Sequence, residues 1–382
     1  MPPIPFLDLF LMLTGILLLA YALLIGYAWY GWKRVPVFQP MSGHLSKPIS
    51  IIIAARSEEG QIGECLESLL AQDFSSDMFE VIVADDHSED RTVQVVQSYA
   101  DRGLPVRVLV AGAGDAEGKK AAITRGIAAA THELIATTDA DCRFPKQWLR
   151  TLSDFQSANH AEFVAAPVKL TMGRSFLDRF QSLDFLTLQG ITAVAVHHGW
   201  FNMCNGANLM YTRTAFQSVK GFEGIDRVAS GDDMLLMEKI GRAFPGKIGY
   251  CLSPDAVVET APAADWRAFL QQRIRWASKS ALYRSMKIKL VLLLVYLVNL
   301  GLTTMLLGML LKPEWGLFAG IGFLCKWLVE WPFTNSVAAF YGRKKLMTWF
   351  LLMQPFHALY TVLAGGFGLA GGYRWKGREI RR

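Results

Sequence analysis

The sequence predicts an α/β domain built on a doubly wound sheet and held between apolar segments long enough to cross a membrane. Three observations carry that reading. Apolar, β-branched runs alternate with helix-like stretches four times between residues 49 and 141, the pattern of parallel strands joined by crossover helices. Acidic clusters stand where apolar runs stop, at Asp85-Asp86, Asp139-Ala140-Asp141 and Asp232-Asp233. Carboxylates at strand ends make a ligand site in an open sheet of this kind. The polar block lies between an apolar N-terminal stretch and a long apolar region beyond Tyr283.

Taken in order, residues 1–34 read as a transmembrane anchor. Residues 6–32 are almost wholly apolar, broken by Asp8, and about 20 apolar residues span a bilayer. The stretch lacks the basic start and cleavage site of a signal peptide. Lys33-Arg34 follow it, so the positive-inside rule places the N-terminus outside and the main domain in the cytoplasm. Pro36, Pro40 and Pro48 mark a linker.

An α/β domain is expected over 48–265, with strands near 49–54, 79–84, 106–110 and 133–138. Helices are expected near 58–71, 90–101 and 119–130. An amphipathic helix lying on the membrane is expected over 266–288, apolar segments over 289–373, and a basic tail over 374–382. The apolar stretches run near 290–311, 315–337 and 346–372. Three full spans would set the basic tail outside, against the positive-inside rule. Pro355 and Gly365-Gly366 therefore predict a re-entrant or interfacial third segment and a cytoplasmic tail.

Composition excludes several classes. Hydrophobic residues make up 52% of the 382, too many and too unevenly spread for an ordinary soluble chain. The net charge of +6 gathers beside the apolar segments, at Lys33-Arg34, Arg343-Lys344-Lys345 and Arg378 to Arg382, which suits an anionic lipid surface. The central block is acid-rich at its motifs, so no nucleic-acid partner is expected. The five cysteines are scattered without C-x-x-C spacing, against a zinc site or disulfide framework and in keeping with a reducing compartment. After the first strand stands Ala55-Arg56-Ser57-Glu58-Glu59 in place of a dinucleotide-binding glycine loop. Gly118-Lys119 looks like half a phosphate loop, but Ala113 and Lys120 replace its glycine and hydroxyl residue.

The chemistry sits in four places. Asp139 and Asp141, two apart at the end of an extended run, share a face and can hold a divalent cation against phosphate oxygens. Asp233 has two readings. Ser230-Gly231-Asp232-Asp233 fits a capping box, with Asp233 at the third helical position; alternatively the carboxylate is a general base. Gln272, Arg275 and Trp276 fall at i, i+3 and i+4 on one helical face, which suits a sugar diphosphate and leaves Arg267, Arg273 and Lys279 for lipid headgroups. Lys326 and Glu330, four apart in an apolar stretch, predict an intrahelical ion pair.

With these residues in view, the chain resembles the membrane-bound inverting glycosyltransferases of family 2, which include cellulose and hyaluronan synthases, and is similar to ceramide glucosyltransferase. The matching pieces run in the family's order over 48–280: residues 51–59, Val83 to Ser88, Gly118-Lys119, Thr138 to Asp141, Asn205 to Asn208, Gly231 to Asp233 and Gln272 to Trp276. The resemblance implies a GT-A fold, a nucleotide-sugar donor that is most often UDP-linked, and Mg2+ or Mn2+. It implies that Ala55, Glu58 and Asp86 contact base and ribose and that Lys119 lies at the donor. Asp139 and Asp141 would hold donor and metal, Asp233 would be the base, and Gln272 and Arg275 would bind the diphosphate. Trp276 and Asp232 would lie at the acceptor. Ser57 stands where the family usually has asparagine, and Asp232 where glutamate is commoner. The implied protein sits in a bacterial inner membrane with its catalytic domain in the cytoplasm. It would transfer one sugar to a lipid or short glycan. Extension of a polysaccharide and a non-catalytic donor-binding scaffold are the alternatives.

Overall fold

The structure is a computed structural model that describes residues 6–40, 46–112, 114–226, 231–279, 283, 285–370, 373–375 and 378–380. Ala113 and Ser230, both used above, lie outside the described residues. The chain divides into two compact units. One comprises Val35–Thr171 and Ala195–Ala261; the other comprises Met1–Arg34, Met172–Val194 and Pro262–Arg382. Residues 172–194 thus group with the apolar helices and not with the α/β domain, a boundary the sequence did not mark.

The α/β unit is organised by β1 (Ile49–Ala55), whose isoleucines are wholly buried. A continuous β-branched run of this kind fits a strand covered on both faces. Strand β2 (Phe79–Asp85) lies parallel on one side of it and β4 (Leu134–Asp139) parallel on the other, with β3 (Val106–Val110) beyond β2. Helices α2 (Ile62–Leu70), α3 (Thr92–Asp101) and α4 (Lys119–Ala129) make the connections. The four expected strands are present within a residue of their expected bounds, although the first helix starts at Ile62 and not near Glu58.

Three short strands widen the sheet to seven: β5 (Phe163–Ala165), β7 (Leu209–Thr212) and β8 (Ile248–Tyr250), in the order β3-β2-β1-β4-β7-β5-β8. Strand β7 runs antiparallel to β4 and to β5. A separate parallel pair joins β6 (Val168–Leu170) to β9 (Val258–Thr260). Helix α5 (Trp148–Asn159) buries Trp148, and α7 (Arg213–Ser218) and α8 (Asp232–Ala243) complete the unit.

The helical unit holds α1 (Phe6–Trp32), most of α6 (Phe176–His197), α9 (Trp266–Ser278), α10 (Met286–Gly308), α11 (Glu314–Phe340) and α12 (Phe350–Ala370). A short antiparallel pair, β10 (Tyr373–Trp375) and β11 (Arg378–Ile380), follows α12. Three described helices are long and apolar enough to cross a membrane: Leu7–Trp32, Met286–Gly308 and Lys344–Gly368. The last of these overturns the expected interruption. Pro355 falls early in α12, where it removes one backbone hydrogen bond without ending the helix. Gly365-Gly366 do not break it either, since α12 continues to Ala370; a β-carbon added at Gly365 would lie 2.6 Å from Tyr296, and one at Gly368 2.9 Å from Ala277. Small residues at such points let helices approach closely.

The expected ion pair is present. Lys326 Nζ lies 2.8 Å from Glu330 Oε1 and donates to Gln354 Oε1 at 2.6 Å, while Gln354 Nε2 donates to Glu330 Oε2 at 2.7 Å. The Tyr21 hydroxyl also donates to Glu330. Lys326 is fully buried, so Lys326→Met is expected to lower stability by about 3–5 kcal/mol, as removal of one partner of a buried pair does. Thermal unfolding in detergent checks this, with Lys326→Met/Glu330→Leu expected to recover much of the loss.

Glu80 ties β2 to its neighbours. It accepts hydrogen bonds from Ser50 Oγ at 2.6 Å and Thr131 N at 2.7 Å, and Arg107 Nη2 lies 3.1 Å away. Burial alone would raise its pKa, but these partners bring it down to about 2. The contribution of Glu80 is therefore complete above its ordinary pKa of about 4.3 and is lost as pH falls towards 2. Glu80→Gln is expected to flatten the acid limb of a stability-against-pH curve over that window.

Candidate active site

The site lies at the carboxyl ends of β1, β2 and β4. Register pairs Ala54 with Asp139 and Ala55 with Asp85, so the strand ends finish side by side. The strand order turns about β1, where an open sheet leaves a crevice for a ligand. The Ala55 carbonyl accepts the Asp86 N–H at 2.8 Å, locking the two loop starts together. Ser57 and His87, just past those strands, have φ of +54° and +60°. This left-handed region suits asparagine, the residue the family resemblance leads one to expect at the position of Ser57, better than serine. The Ser57 N–H is held by Ser88 Oγ at 2.9 Å, and the Glu58 N–H by Thr92 Oγ1 at 2.8 Å.

Asp86 is buried and accepts the Gly118 N–H on both oxygens, at 2.9 and 3.0 Å, at the start of α4. Arg56 Nη1 lies 3.7 Å from it, a partner the sequence offered no spacing signal for. Lys119, one residue on, reaches Asp139 Oδ1 at 2.5 Å. Asp141 lies in the turn beyond β4 and accepts from Thr260 Oγ1 at 2.8 Å. Burial first, and then the neighbouring Asp139 charge, raise the Asp141 pKa. Two adjacent carboxylates, one of them desolvated, form a place where positive charge is favoured.

Among the described residues no cluster of three or more His, Cys, Asp or Glu side chains could by itself hold a metal ion. Asp139 and Asp141 nonetheless fit Mg2+ or Mn2+ of the kind held by one or two carboxylates together with substrate phosphates and water.

Asp233 is brought to the same place. Helix α8 starts at Asp232 with Gly231 as its cap, so Asp233 occupies the second helical position and not the third required by the capping-box reading. Its Oδ2 accepts the Gly206 N–H at 3.0 Å and its Oδ1 the Met234 N–H at 2.8 Å. A β-carbon added to Gly206 would lie 3.4 Å from Lys119 Nζ and 3.5 Å from Asp233 Oδ2, so this glycine stands beside both charged groups. The loop that carries it is anchored by Thr138 Oγ1, which donates to the Ala207 carbonyl at 2.7 Å. Asn208 donates to the Pro167 and Ala256 carbonyls at 2.8 and 2.7 Å. Thr260 lies far in sequence from the carboxylate it touches, and no local pattern ties it to the site, whereas Gly206 falls in the Asn205–Asn208 piece of the family resemblance.

Gln272, Arg275 and Trp276 belong to the helical unit. They lie half-buried on α9, which begins with Asp265 Oδ1 accepting the Ala268 N–H at 2.7 Å. Arg273 departs from expectation. It is 4% exposed and pairs with Asp184 at 2.7 Å, so it does not face lipid headgroups. The i+1 position turns it towards the protein, where a buried carboxylate meets it.

Residues 50–219 match the model of Glycosyl transferase family 2, so the chain carries a glycosyltransferase domain of that family. Beta-monoglucosyldiacylglycerol synthase of Synechocystis sp. is 25% identical over 232 residues, which cover 60% of this chain and 47% of that protein. Probable glycosyltransferase YdaM of Bacillus subtilis is 23% identical over 255 residues, 64% of this chain and 58% of that protein. The chain thus spans about half the length of these curated relatives. Among solved structures, a mannosyltransferase of Pyrobaculum calidifontis in complex with GDP-Man and Mn2+ superposes with a TM-score of 0.59 at 20% identity. The match covers 95% of this chain and 99% of that one. The fold is GT-A-like.

With both Asp233 oxygens engaged by backbone N–H groups, Asp233→Asn turns an amide NH2 towards one of those donors. A loss of about 1.5–3 kcal/mol in unfolding free energy is expected, the range for a hydrogen bond to a charged group. Thermal or denaturant unfolding measures it.

Proposed function

We propose that the protein is a membrane-bound inverting glycosyltransferase that moves one sugar from a nucleotide-sugar donor, UDP-linked by the family resemblance, to a lipid acceptor. The observation that carries this reading is the meeting of Asp86, Asp139, Asp141, Lys119 and Asp233 around the carboxyl ends of β1, β2 and β4. The three membrane-length helices and the glycolipid synthase among the relatives support a lipid acceptor in a bacterial inner membrane. The Mn2+ and GDP-Man in the structural neighbour support a divalent cation and a nucleotide-sugar.

In this reading Ala55, Glu58 and Asp86 receive the base and ribose. Asp139 and Asp141 hold Mg2+ or Mn2+, whose chemistry when bound is to offset charge on the leaving diphosphate. Lys119 exchanges its Asp139 partner for a phosphate oxygen. Gln272 and Arg275 bind the diphosphate, and Trp276 and Asp232 meet the acceptor, on the strength of the motif. Asp233, its carboxylate fixed by two backbone donors, takes the proton of the acceptor hydroxyl as that oxygen bonds the anomeric carbon. The bond from that carbon to the diphosphate oxygen breaks in the same step. One displacement inverts the centre, so an α-linked donor yields a β-linked product.

The test is nucleoside-diphosphate release by the full chain in detergent, with a panel of nucleotide sugars, Mn2+ or Mg2+, and added membrane lipid. One donor is expected to react, with release rising with lipid and ceasing in EDTA. The product should be a lipid carrying a single sugar. A ladder of high-mass product would replace the single-transfer reading with a polymer synthase, and silence from every donor would overturn the catalytic reading. Asp233→Asn is expected to cut transfer by about 10²–10⁴-fold while donor affinity, measured by calorimetry, stays within a few-fold.

A further inference from the structure

Arg273 lies inside the Gln272–Trp276 segment yet faces away from solvent, into a buried polar cluster. Asp184 on α6, also buried, meets its Nη2 at 2.7 Å. The Tyr360 hydroxyl on α12 donates to Asp184 Oδ1 at 2.6 Å, and His357 Nε2 stands 3.7 Å from the same oxygen. The guanidinium lies 4.8 Å over the Phe269 ring and 4.4 Å over the ring of Trp276 itself. Behind the motif, a β-carbon on Gly368 would come within 2.9 Å of Ala277 Cβ and 3.0 Å of Ser278 N, so α12 presses directly on the last turn of α9.

We propose that Asp184 is a positioning residue for the glycosyl-transfer reaction: by gripping Arg273 it fixes the rotation of α9 about its own axis, and with it the direction of Gln272, Arg275 and Trp276. A buried ion pair is a poor way to gain stability, because the desolvation of both charges offsets their attraction and apolar residues often serve as well. Asp184 holds the guanidinium at one point, through Nη2, while Nε and Nη1 have no hydrogen-bond partner among the described residues. The Phe269 and Trp276 rings that face it set its plane, and the charge contact and the rings together define an orientation. Successive helical residues are about 100° apart, so pinning residue 273 sets the faces occupied by 272, 275 and 276. Tyr360 in turn orients the Asp184 carboxylate. The inference rests on the reading of Gln272 and Arg275 as ligands of the donor diphosphate.

The test is a double-mutant cycle on the full chain in lipid nanodiscs, reading the donor KM and kcat together with the unfolding temperature. Asp184→Asn is expected to raise the donor KM by about tenfold, and Tyr360→Phe by about threefold, magnitudes usual for coupled contacts. In a Gln272→Ala background, which itself raises the donor KM, Asp184→Asn should add clearly less than about tenfold, because the part of its effect that passes through Gln272 is already lost and the part through Arg275 remains. Equal cost in both backgrounds, or a lowered unfolding temperature with donor KM unchanged, would overturn the proposal and leave the pair purely structural. A Gln272→Ala variant with unaltered donor KM would instead overturn the underlying reading of the motif. Should Asp184→Asn not fold, Tyr360→Phe carries the same cycle.

Discussion

The α/β unit depends on one constraint: β1 must be paired and covered on both sides. Its seven residues, Ile49 to Ala55, carry apolar side chains with almost no exposure and one serine, Ser50, that bonds to Glu80. Such a strand has no acceptable edge. Parallel partners on either side then point their carboxyl ends the same way, and the carboxylates that follow each strand are brought together by that alone. The register matters as much as the pairing. A one-residue slip of β4 would send Asp139 to the opposite face of the sheet and separate it from Lys119.

Each of the site's acidic groups, three at strand ends and Asp233 in the first turn of α8, is already engaged. Asp86 holds the backbone N–H of Gly118, the cap residue of α4, Asp139 the Lys119 ammonium, Asp141 the Thr260 hydroxyl, and Asp233 the N–H groups of Gly206 and Met234. These partners fix the side chains in advance, which spares a ligand the cost of ordering them. They differ in how readily they yield. The backbone bonds to Asp86 and Asp233 are built into helix starts and a tight loop. The Lys119–Asp139 pair is formed between two partly exposed side chains and is the contact that an incoming phosphate or cation can rearrange.

In the helical unit the governing problem is different. If its long apolar helices cross a membrane, they gain little from packing on one another in lipid, so contact would rely on close approach and on polar groups that find partners. Both devices are present. Gly365 and Gly368 admit Tyr296 and the end of α9, while Lys326, Glu330, Gln354 and Tyr21 satisfy one another across α1, α11 and α12. Asp184, Arg273 and Tyr360 do the same across α6, α9 and α12.

The sequence by itself determined the parallel core, the α1 segment, and the carboxylates at the ends of β2 and β4. These are written in contiguous runs, where burial on both faces or along a whole helix demands unbroken apolar residues. It also anticipated the Lys326–Glu330 pair, because four residues is one helical turn. Tertiary structure alone decided the rest. Strands β5, β7 and β8 are three or four residues long, too short for any periodicity, and exist because neighbours offer them partners. The capping geometry of Asp233 turned on where α8 begins, and the fate of Arg273 on a carboxylate 89 positions earlier in the chain, on α6. Local patterns record what a residue needs from its own element. Which distant group supplies it is settled only when the elements pack.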